Sequence, residues 1–284
     1  MARQQYYSKY NSASSRRRKP KLLINVLVIS LLVIGVGFFV KTSMSVSNLV
    51  MTTEETEVLD FEEIQDVTKW HNKEVRFAYL TFDDGPSRNV EKVLDVLEKE
   101  KVPGTFFLLG SAVESNVNAE SILQRMLDEG HYIGLHSMTH VYDTLYVGDE
   151  APANFVNEMK ELQGIISTLT GGFVSELCRA PYGTGGTFTD AHVDALKEEG
   201  LKCWDWDVDS MDWSYTPDQM LEKVKEDMEL WGYPTNAVIL FHEKDNTIKA
   251  LPSIIKYLRD EGYEFLPYNP DNHFVKNLYN SDEL

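Results

Sequence analysis

From Val75 onward the sequence alternates short apolar or aromatic runs with amphipathic stretches, and this alternation strongly constrains the fold. We predict seven strands, at residues 75–82, 104–109, 131–135, 174–179, 201–208, 237–241 and 263–266. We predict six helices between them, at residues 89–100, 118–129, 153–169, 190–199, 217–230 and 248–260. Strands that alternate with helices in this way are typical of a parallel sheet. The predicted fold class is therefore α/β, with a sheet that is either open or closed into a barrel.

Residues 22–40 form the longest apolar run of the chain, nineteen residues without a charge, and five basic residues between Arg16 and Lys21 precede it. A run of this length spans a bilayer, and basic residues before it place the N-terminus in the cytoplasm. We therefore expect a cytoplasmic tail at residues 1–21, a single transmembrane helix at residues 22–40, and a cell-membrane protein with an extracellular domain. A cleaved signal peptide is the alternative, although the run is longer than a signal-peptide core of about 7–15 residues.

The charge of the chain is unevenly distributed. The net charge of the whole chain is −18, but residues 41–284 carry 20 basic and 45 acidic side chains and a net charge of −25. A body this acidic is repelled by phosphate backbones, which excludes nucleic acid as a partner of the folded part. Two cysteines, Cys178 and Cys203, are too few for a disulfide-stapled scaffold or a cysteine-based zinc site. They lie in consecutive predicted strands, so a disulfide and two buried thiols both stay open.

The composition also suggests domain boundaries. Residues 41–70 begin with Ser and Thr, continue acidic and show no sustained apolar period, which is typical of a linker. We assign residues 71–270 to one catalytic domain and residues 271–284 to a C-terminal tail.

Polar motifs follow five of the predicted strands at the point where each strand ends. In chain order they are Asp83-Asp84-Gly85-Pro86, His136-Ser137-Met138-Thr139-His140, Arg179-Ala180-Pro181-Tyr182, Asp207-Val208-Asp209-Ser210-Met211-Asp212-Trp213 and Leu240-Phe241-His242-Glu243. Each motif by itself has an ordinary explanation as a turn, a solvated histidine or an exposed acidic loop. Together they fall at the carboxyl ends of predicted parallel strands, where α/β proteins assemble active sites. The sequence therefore predicts an active site at this edge.

The residue types in two of these motifs indicate a metal. His136 and His140 are four residues apart, so on a helical turn they lie on one face and can share an ion. With Asp84 they supply two nitrogens and one carboxylate oxygen and leave positions open, which is the ligand set of a catalytic site. Adjacent side chains leave an extended segment on opposite sides, so Asp83 and Asp84 can have different roles. Arg179 is suited to hold a carboxylate through two parallel hydrogen bonds.

The five motifs, in this order, resemble those of the polysaccharide deacetylases of carbohydrate esterase family 4, the NodB homology domain. The resemblance covers residues 75–266 and implies a distorted (β/α) barrel of about seven parallel strands. It implies metal-dependent hydrolysis of N-acetyl groups on an amino sugar polymer, as in membrane-anchored peptidoglycan N-acetylglucosamine deacetylases. Alternative substrates are chitin, xylan or an exopolysaccharide, and the alternative of another class is a catalytically silent glycan-binding surface protein. One departure is Glu243, where the family more often has aspartate.

The resemblance also implies the residues that bind the metal and activate water. Asp83 would be the catalytic base and Arg179 would orient it. Asp84, His136 and His140 would bind one divalent metal ion, zinc in the first place, with cobalt and manganese as alternatives.

Further roles follow for the other motifs. His242 would protonate the leaving amine, and Asp209 would orient His242 and stabilise its charge. The backbone N–H of Tyr182 would bind the oxyanion. Trp213 and Leu240 would line the pocket that receives the acetyl methyl group.

Overall fold

The computed structural model of the protein describes residues 75–284. The strands are β1 (Arg76–Gly85), β2 (Gly104–Leu108), β3 (Tyr132–Leu135), β4 (Leu177–Cys178), β5 (Lys202–Cys203), β6 (Val208–Asp209), β7 (Asn236–His242) and β8 (Tyr263–Phe265). The helices are α1 (Val90–Glu100), α2 (Gly110–Ser115), α3 (Ala119–Asp128), α4 (Tyr142–Tyr146), α5 (Ala151–Leu169), α6 (Asp190–Glu198), α7 (Pro217–Leu230) and α8 (Asp245–Asp260). The six longer helices lie where the periodicity predicts them, and the two short ones, α2 and α4, were not predicted.

All strand pairs are parallel, and the strands form one curled sheet in the order β5-β4-β3-β2-β1-β7-β6. The last strand, β8, pairs with the first three residues of β1. The predicted α/β class with a parallel sheet is therefore confirmed. Because all strands run the same way, their carboxyl ends lie at one edge of the sheet.

The single strand predicted at residues 201–208 is wrong, because the chain forms two short strands there at opposite edges of the sheet. Trp204 N still donates to Cys178 O on β4 (3.0 Å), whereas Asp207 N donates to Val238 O on β7 (2.8 Å). Among the described residues, β5 and β6 are not paired with each other. The chain itself crosses the gap between the two edges, so the sheet is a curled half-barrel and not a barrel closed by a strand ladder.

Alternation along β1 separates two packing faces. On one face Phe82 stacks between Phe106 and Phe241, with ring centroids 4.9 and 5.7 Å apart. On the other face Tyr79 packs edge-on against Trp204, with centroids 5.2 Å apart. Successive side chains of a strand point to opposite faces. The odd-numbered residues of β1 therefore point into the concave side, where the site lies.

The residues that follow β8 pack against the gap between β5 and β6. We call residues 273–284 the C-terminal segment. Trp204 Nε1 donates to Phe274 O (2.8 Å), and Asp205 N donates to Lys276 O (2.6 Å). The final residue, Leu284, is fully buried. The residues that we predicted to form a C-terminal tail, 271–284, are thus packed against the sheet.

Cys178 on β4 is paired in register with Cys203 on β5. Both are buried free thiols. A hydrogen bond to Cys178 and burial raise the pKa of Cys203 well above its usual range. Because the thiolate is the reactive form, Cys203 is a poor nucleophile in this state.

Within residues 75–284, no helix is long and apolar enough to cross a membrane. The expected tail, membrane span and linker at residues 1–21, 22–40 and 41–70 lie outside the described residues.

Candidate active site

Asp83 and Asp84 lie where the ladder of β1 becomes irregular. Asp83 pairs in register with Phe107 on β2, but the next pair joins Gly85 to Leu108, so Asp84 is an extra residue in β1. Asp84 has a left-handed backbone, with φ of 67°. A bulge of this kind re-aims side chains at the end of a strand. The two neighbouring carboxylates therefore project from differently oriented backbone, as two separate roles require.

Arg179 is fully buried and holds Asp83 in place. Arg179 Nη1 donates to Asp83 Oδ1 and to Thr81 Oγ1, each at 2.8 Å. Its Nε donates to Trp204 O and its Nη2 to Asp205 O, each at 2.9 Å. A buried ion pair is costly unless its remaining polar atoms are also paired, and here Nε and both terminal nitrogens have acceptors. The Asp83 carboxylate is consequently fixed through Oδ1, and Oδ2 stays directed at the site.

The three predicted ligands come together within one small volume. One donor atom each from Asp84, His136 and His140 lies within 4.8 Å of the others. His136 Nε2 is 3.5 Å and His140 Nε2 is 3.7 Å from Asp84 Oδ1. Asp84 Oδ1 is buried and has no hydrogen-bond partner among the described residues. Such an orphaned oxygen costs free energy unless a cation or water satisfies it.

Hydrogen bonds to the other ring nitrogen prepare both histidines to bind an ion. His136 Nδ1 lies 2.9 Å from the carbonyl oxygen of Arg179, which only accepts, so Nδ1 carries the proton. Tyr182 Oη donates to His140 O (3.0 Å) and therefore accepts from His140 Nδ1 (3.1 Å). Both Nε2 atoms then present a lone pair towards Asp84. Two such nitrogens and a free carboxylate oxygen fit a divalent metal ion with open coordination positions.

The loop that carries the two histidines is not the helical turn that the spacing suggests. Ser137 and His140 have left-handed backbones, with φ of 69° and 57°. Glu158 on α5 supports the loop, since its Oε2 accepts from Met138 N and Thr139 N, each at 2.9 Å. Sequence reasoning missed Glu158, because nothing in the helical pattern of α5 distinguishes it from Glu161, the other glutamate on that helix.

The two sides of the site hold their histidines in different charge states. Burial lowers the pKa of His136 and outweighs the raising effect of Asp83 and Asp84. Burial also lowers the pKa of His242, but the hydrogen bond and charge of Asp212, together with the charges of Asp83 and Asp84, outweigh it and raise the pKa to about 9. His136 is therefore neutral, as a ligand must be, and His242 is cationic near neutral pH.

Asp212, and not the predicted Asp209, orients His242. Asp212 Oδ1 lies 2.8 Å from His242 Nδ1, and Asp212 Oδ2 accepts from the His242 backbone N–H and from Thr247 Oγ1. Asp209 instead accepts from Met211 N at 2.8 Å. The physical reason is a reversal at Met211, whose φ of 56° turns the chain so that Asp212 comes under β7. Burial raises the pKa of Asp209.

The remaining predicted residues surround the site with very different exposure. Trp213 and Tyr182 are 62% and 55% exposed, so their rings are open to a large ligand. Leu240 is buried on β7, in register with Thr81 on one side and Asp209 on the other.

Glu243, the departure from the family pattern, supports β1 and not His242. Its Oε2 accepts from Ser87 N at 2.6 Å, and a Cβ at Gly85 would clash with its Oε1. Glu243 Oε1 is buried without a hydrogen-bond partner in the described part of the chain. Burial raises the pKa of Glu243 to about 7. Glu243 thus ties the loop after Asp84 to the end of β7.

Comparisons with known proteins identify the family of the chain. The family model "Polysaccharide deacetylase" matches residues 71–204. A peptidoglycan-N-acetylglucosamine deacetylase of Bacillus cereus is 32% identical over 272 residues, which cover 92% of this chain and 97% of the relative. A putative polysaccharide deacetylase of Bacillus subtilis is 36% identical over 191 residues, which cover 66% of this chain and 65% of the relative.

A solved structure also matches. The crystal structure of a polysaccharide deacetylase from Bacillus cereus superposes with a TM-score of 0.66 at 35% identity, covering 74% of this chain and 100% of that one. Sequence and fold comparisons therefore point to the same family. The chain belongs to the polysaccharide deacetylase family, carbohydrate esterase family 4, and is a deacetylase enzyme.

Proposed function

We propose that the protein removes N-acetyl groups from N-acetylglucosamine residues of peptidoglycan in a metal-dependent hydrolysis. The observation that carries this proposal is the position of Asp84. One of its oxygens faces His136 and His140, whose Nε2 atoms lie 3.5 and 3.7 Å away, and the other lies 3.7 Å from Nε2 of the cationic His242. A ligand set and an acid thus meet at one carboxylate. The match to the Bacillus cereus relative covers 97% of that protein, and its name, peptidoglycan-N-acetylglucosamine deacetylase, supports this substrate.

Asp84, His136 and His140 are the residues that would hold the metal. A divalent ion there, zinc in the first place with cobalt and manganese as alternatives, would polarise the amide carbonyl and lower the pKa of a bound water to ~7. The chain contributes two neutral nitrogens and one negative oxygen, so the bound ion would keep a net positive charge.

Asp83 is the proposed base. Arg179 occupies Asp83 Oδ1, and Asp83 Oδ2 lies 3.8 Å from His136 Nε2, facing the ligand set. Asp83 Oδ2 would accept the proton of the attacking water. Arg179 would keep that oxygen oriented through each turnover, because its guanidinium is tied at four acceptors.

His242 is the proposed acid. Expulsion of an amine requires its protonation, and His242 Nε2 would donate that proton to the amide nitrogen as the carbon–nitrogen bond breaks. Asp212 keeps the imidazolium charged and fixes its Nδ1–H. The Tyr182 backbone N–H would donate to the oxygen that becomes negative in the tetrahedral intermediate. Among the described residues, nothing accepts a hydrogen bond from this N–H.

Acetate release by the full-length protein tests the proposal. We expect release from peptidoglycan, loss of release after treatment with a chelator, and recovery when zinc is added back. Asp83→Asn should abolish turnover and leave the bound metal in place, because the amide keeps the shape and loses the basicity. Chelator-resistant release, or near-normal turnover by Asp83→Asn, would overturn the mechanism.

The same assay decides the substrate. Parallel rates on peptidoglycan, chitin oligomers and acetylated xylan should be highest on peptidoglycan, with glucosamine as the new sugar found by mass spectrometry of muropeptides. A higher rate on chitin or xylan would mean that this polymer, and not peptidoglycan, is the substrate. Binding without acetate release would indicate a catalytically silent glycan-binding protein.

We also propose that residues 22–40 anchor the protein in the cell membrane with the catalytic domain outside. The support is the uncharged run of nineteen residues and the five basic residues just before it. Protease added to intact protoplasts should digest the catalytic domain and spare residues 1–21. Protection of the catalytic domain would contradict this orientation.

A further inference from the structure

Asp205 is a fully buried carboxylate to which the mechanism above gives no role. Its Oδ1 accepts from Thr184 N at 3.0 Å. Its Oδ2 accepts from Thr184 Oγ1 and, at 2.6 Å, from Leu278 N. A buried carboxylate is costly unless donors surround it, and here three donors converge on one side chain. Through these three hydrogen bonds Asp205 connects Thr184 to the C-terminal segment.

The loop next to Thr184 is the turn that carries Tyr182. Gly183 N donates to Ala180 O at 2.9 Å, which closes a turn over residues 180–183. Tyr182 occupies its third position with φ of 67°, where the chain normally places glycine. A side chain held in this conformation persists only if its surroundings enforce it. The hydrogen bond from Tyr182 Oη to His140 O holds the turn on one side, and the hydrogen bond from Thr184 N to Asp205 Oδ1 holds it on the other.

Asp205 also touches the base side of the site through its backbone. Its carbonyl oxygen accepts from Arg179 Nη2 at 2.9 Å, and Arg179 Nη1 donates to Asp83. A shift of Asp205 would therefore move two elements together, the Tyr182 turn and the guanidinium that orients Asp83.

The C-terminal segment completes the arrangement from the far side. Lys276 O accepts from Asp205 N at 2.6 Å, and Tyr279 N donates to Thr184 Oγ1 at 2.9 Å. Leu278 N also donates to the Asp205 carboxylate, so three hydrogen bonds join residues 276–279 to Asp205 and Thr184. The segment lies in the gap between β5 and β6, where Lys276 forms an isolated parallel bridge with Trp204.

We propose that Asp205 is a positioning residue for deacetylation, which together with Thr184 and the C-terminal segment clamps the Tyr182 turn so that its backbone N–H meets the reacting oxygen. This inference rests on the proposed function for its kinetic readout. The clamp acts on the oxyanion donor and on Arg179. Asp205 and Thr184 form no hydrogen bond with Asp84, His136 or His140, and the Tyr182 hydroxyl keeps its own hydrogen bonds to His140. Its loss should lower kcat and leave KM and metal content near wild-type values.

Thr184→Val is the sharpest variant, because it keeps the shape and removes the hydroxyl that joins Asp205 to Tyr279. Thr170→Val is the matched control. Like the Thr184 hydroxyl, the Thr170 hydroxyl donates one hydrogen bond and accepts one from a backbone amide. It donates to Ile166 O and accepts from Phe173 N, but it lies at the end of α5 away from the site. Both variants lose two hydrogen bonds, but the bond from Thr184 to the buried Asp205 carboxylate is charge-assisted, so Thr184→Val should lower the free energy of unfolding more than Thr170→Val.

In the full-length holoenzyme we expect Thr184→Val to lower kcat about 10- to 100-fold, with KM within about twofold, since a small misplacement of a donor costs this much. Thr184→Ser should recover most of kcat, because it restores the hydroxyl. Asp205→Asn should act in the same direction, and if it does not fold, Thr184→Val decides. Thr170→Val should keep the wild-type kcat.

Hydrogen exchange separates failure of this inference from failure of the proposed function. Amide exchange over residues 180–185 should become faster in Thr184→Val than in Thr170→Val, whatever the wild-type protein hydrolyses. A Thr184→Val protein with the kcat and the exchange rates of Thr170→Val would overturn the clamp. A wild-type protein without acetate release would overturn the proposed function, and exchange alone would then decide the clamp.

Discussion

His136 and His242 contact different oxygens of the same Asp84 carboxylate, yet they differ in charge. Both are shielded from water, which by itself lowers the pKa of an imidazole. His136 Nδ1 meets the carbonyl of Arg179, and His242 Nδ1 meets the carboxylate of Asp212. A neutral carbonyl fixes the tautomer and raises the pKa by less than burial lowers it, whereas a carboxylate fixes the tautomer and also strongly stabilises the cation. The group behind each ring thus suits one histidine to metal binding and the other to proton donation.

Removal of His136 should have the largest effect and tests the ligand side of this comparison. We expect His136→Ala to lose its metal and to show no detectable acetate release, because one of three ligands is gone. Elemental analysis of the purified protein measures the metal. His192→Ala is the control, since His192 is also buried and has a lowered pKa but lies outside the ligand set. Full metal content in His136→Ala would contradict the assignment.

Removal of His242 should have the next largest effect and tests the acid side. His242→Ala should lower kcat by roughly 10²- to 10⁴-fold, the usual contribution of a positioned acid. It should keep its metal, in contrast to His136→Ala. Parallel elemental analysis and rate measurements check this pair, and loss of metal from His242→Ala would mean that His242 is a ligand.

Asp212→Asn should lower the pKa of His242 and so make its charge state more like that of the neutral His136. Without the Asp212 charge, burial dominates and the pKa of His242 falls from about 9. His242 must be protonated to act, so the alkaline limb of the kcat/KM profile should move to lower pH. The ratio of activity at pH 9 to activity at pH 7 should therefore fall. Asp209→Asn is the matched control and should move the limb less, since Asp209 bonds to Met211 and not to the imidazole.

Glu243→Gln should have the smallest effect and extends the comparison to a buried carboxyl group that forms no salt bridge among residues 75–284. Because its folded pKa of about 7 lies above the ordinary 4.5, Glu243 contributes stability below pH 4.5 that is lost as the pH rises through 7. The difference between the two limits is at most about 3 kcal/mol. In thermal unfolding of the metal-free proteins, the stability of Glu243→Gln relative to that of the wild type should increase between pH 5 and pH 8. A constant difference between the two proteins would contradict this.

Much of the site could be predicted because its residues directly follow buried strand residues. Asp83, His136, Arg179 and His242 each come at the end of a strand, and parallel strands bring such ends together. Asp205 could not be recognised in the same way. The apolar pattern at residues 201–208 suggests one continuous strand and hides the crossing on which Asp205 lies.

The choice between Asp209 and Asp212 illustrates the limit of local pattern. Both acids follow the same predicted strand, three residues apart, and either spacing is compatible with a contact to His242. Only the left-handed residue Met211 and the register of β6 on β7 decide that Asp212 reaches the imidazole.

The sequence by itself determined the α/β class, the positions of the longer helices and the chemical types gathered at the strand ends, because side-chain periodicity and strand-end motifs are local properties of the chain. The tertiary structure alone decided the pKa direction of each histidine, the acceptor behind it, and the place of the C-terminal segment beside Asp205. These depend on burial and on distances between residues far apart in the chain, such as the 2.6 Å from Leu278 N to Asp205 Oδ2. Such distances are set by the packing of the whole sheet and leave no periodic signal in the sequence.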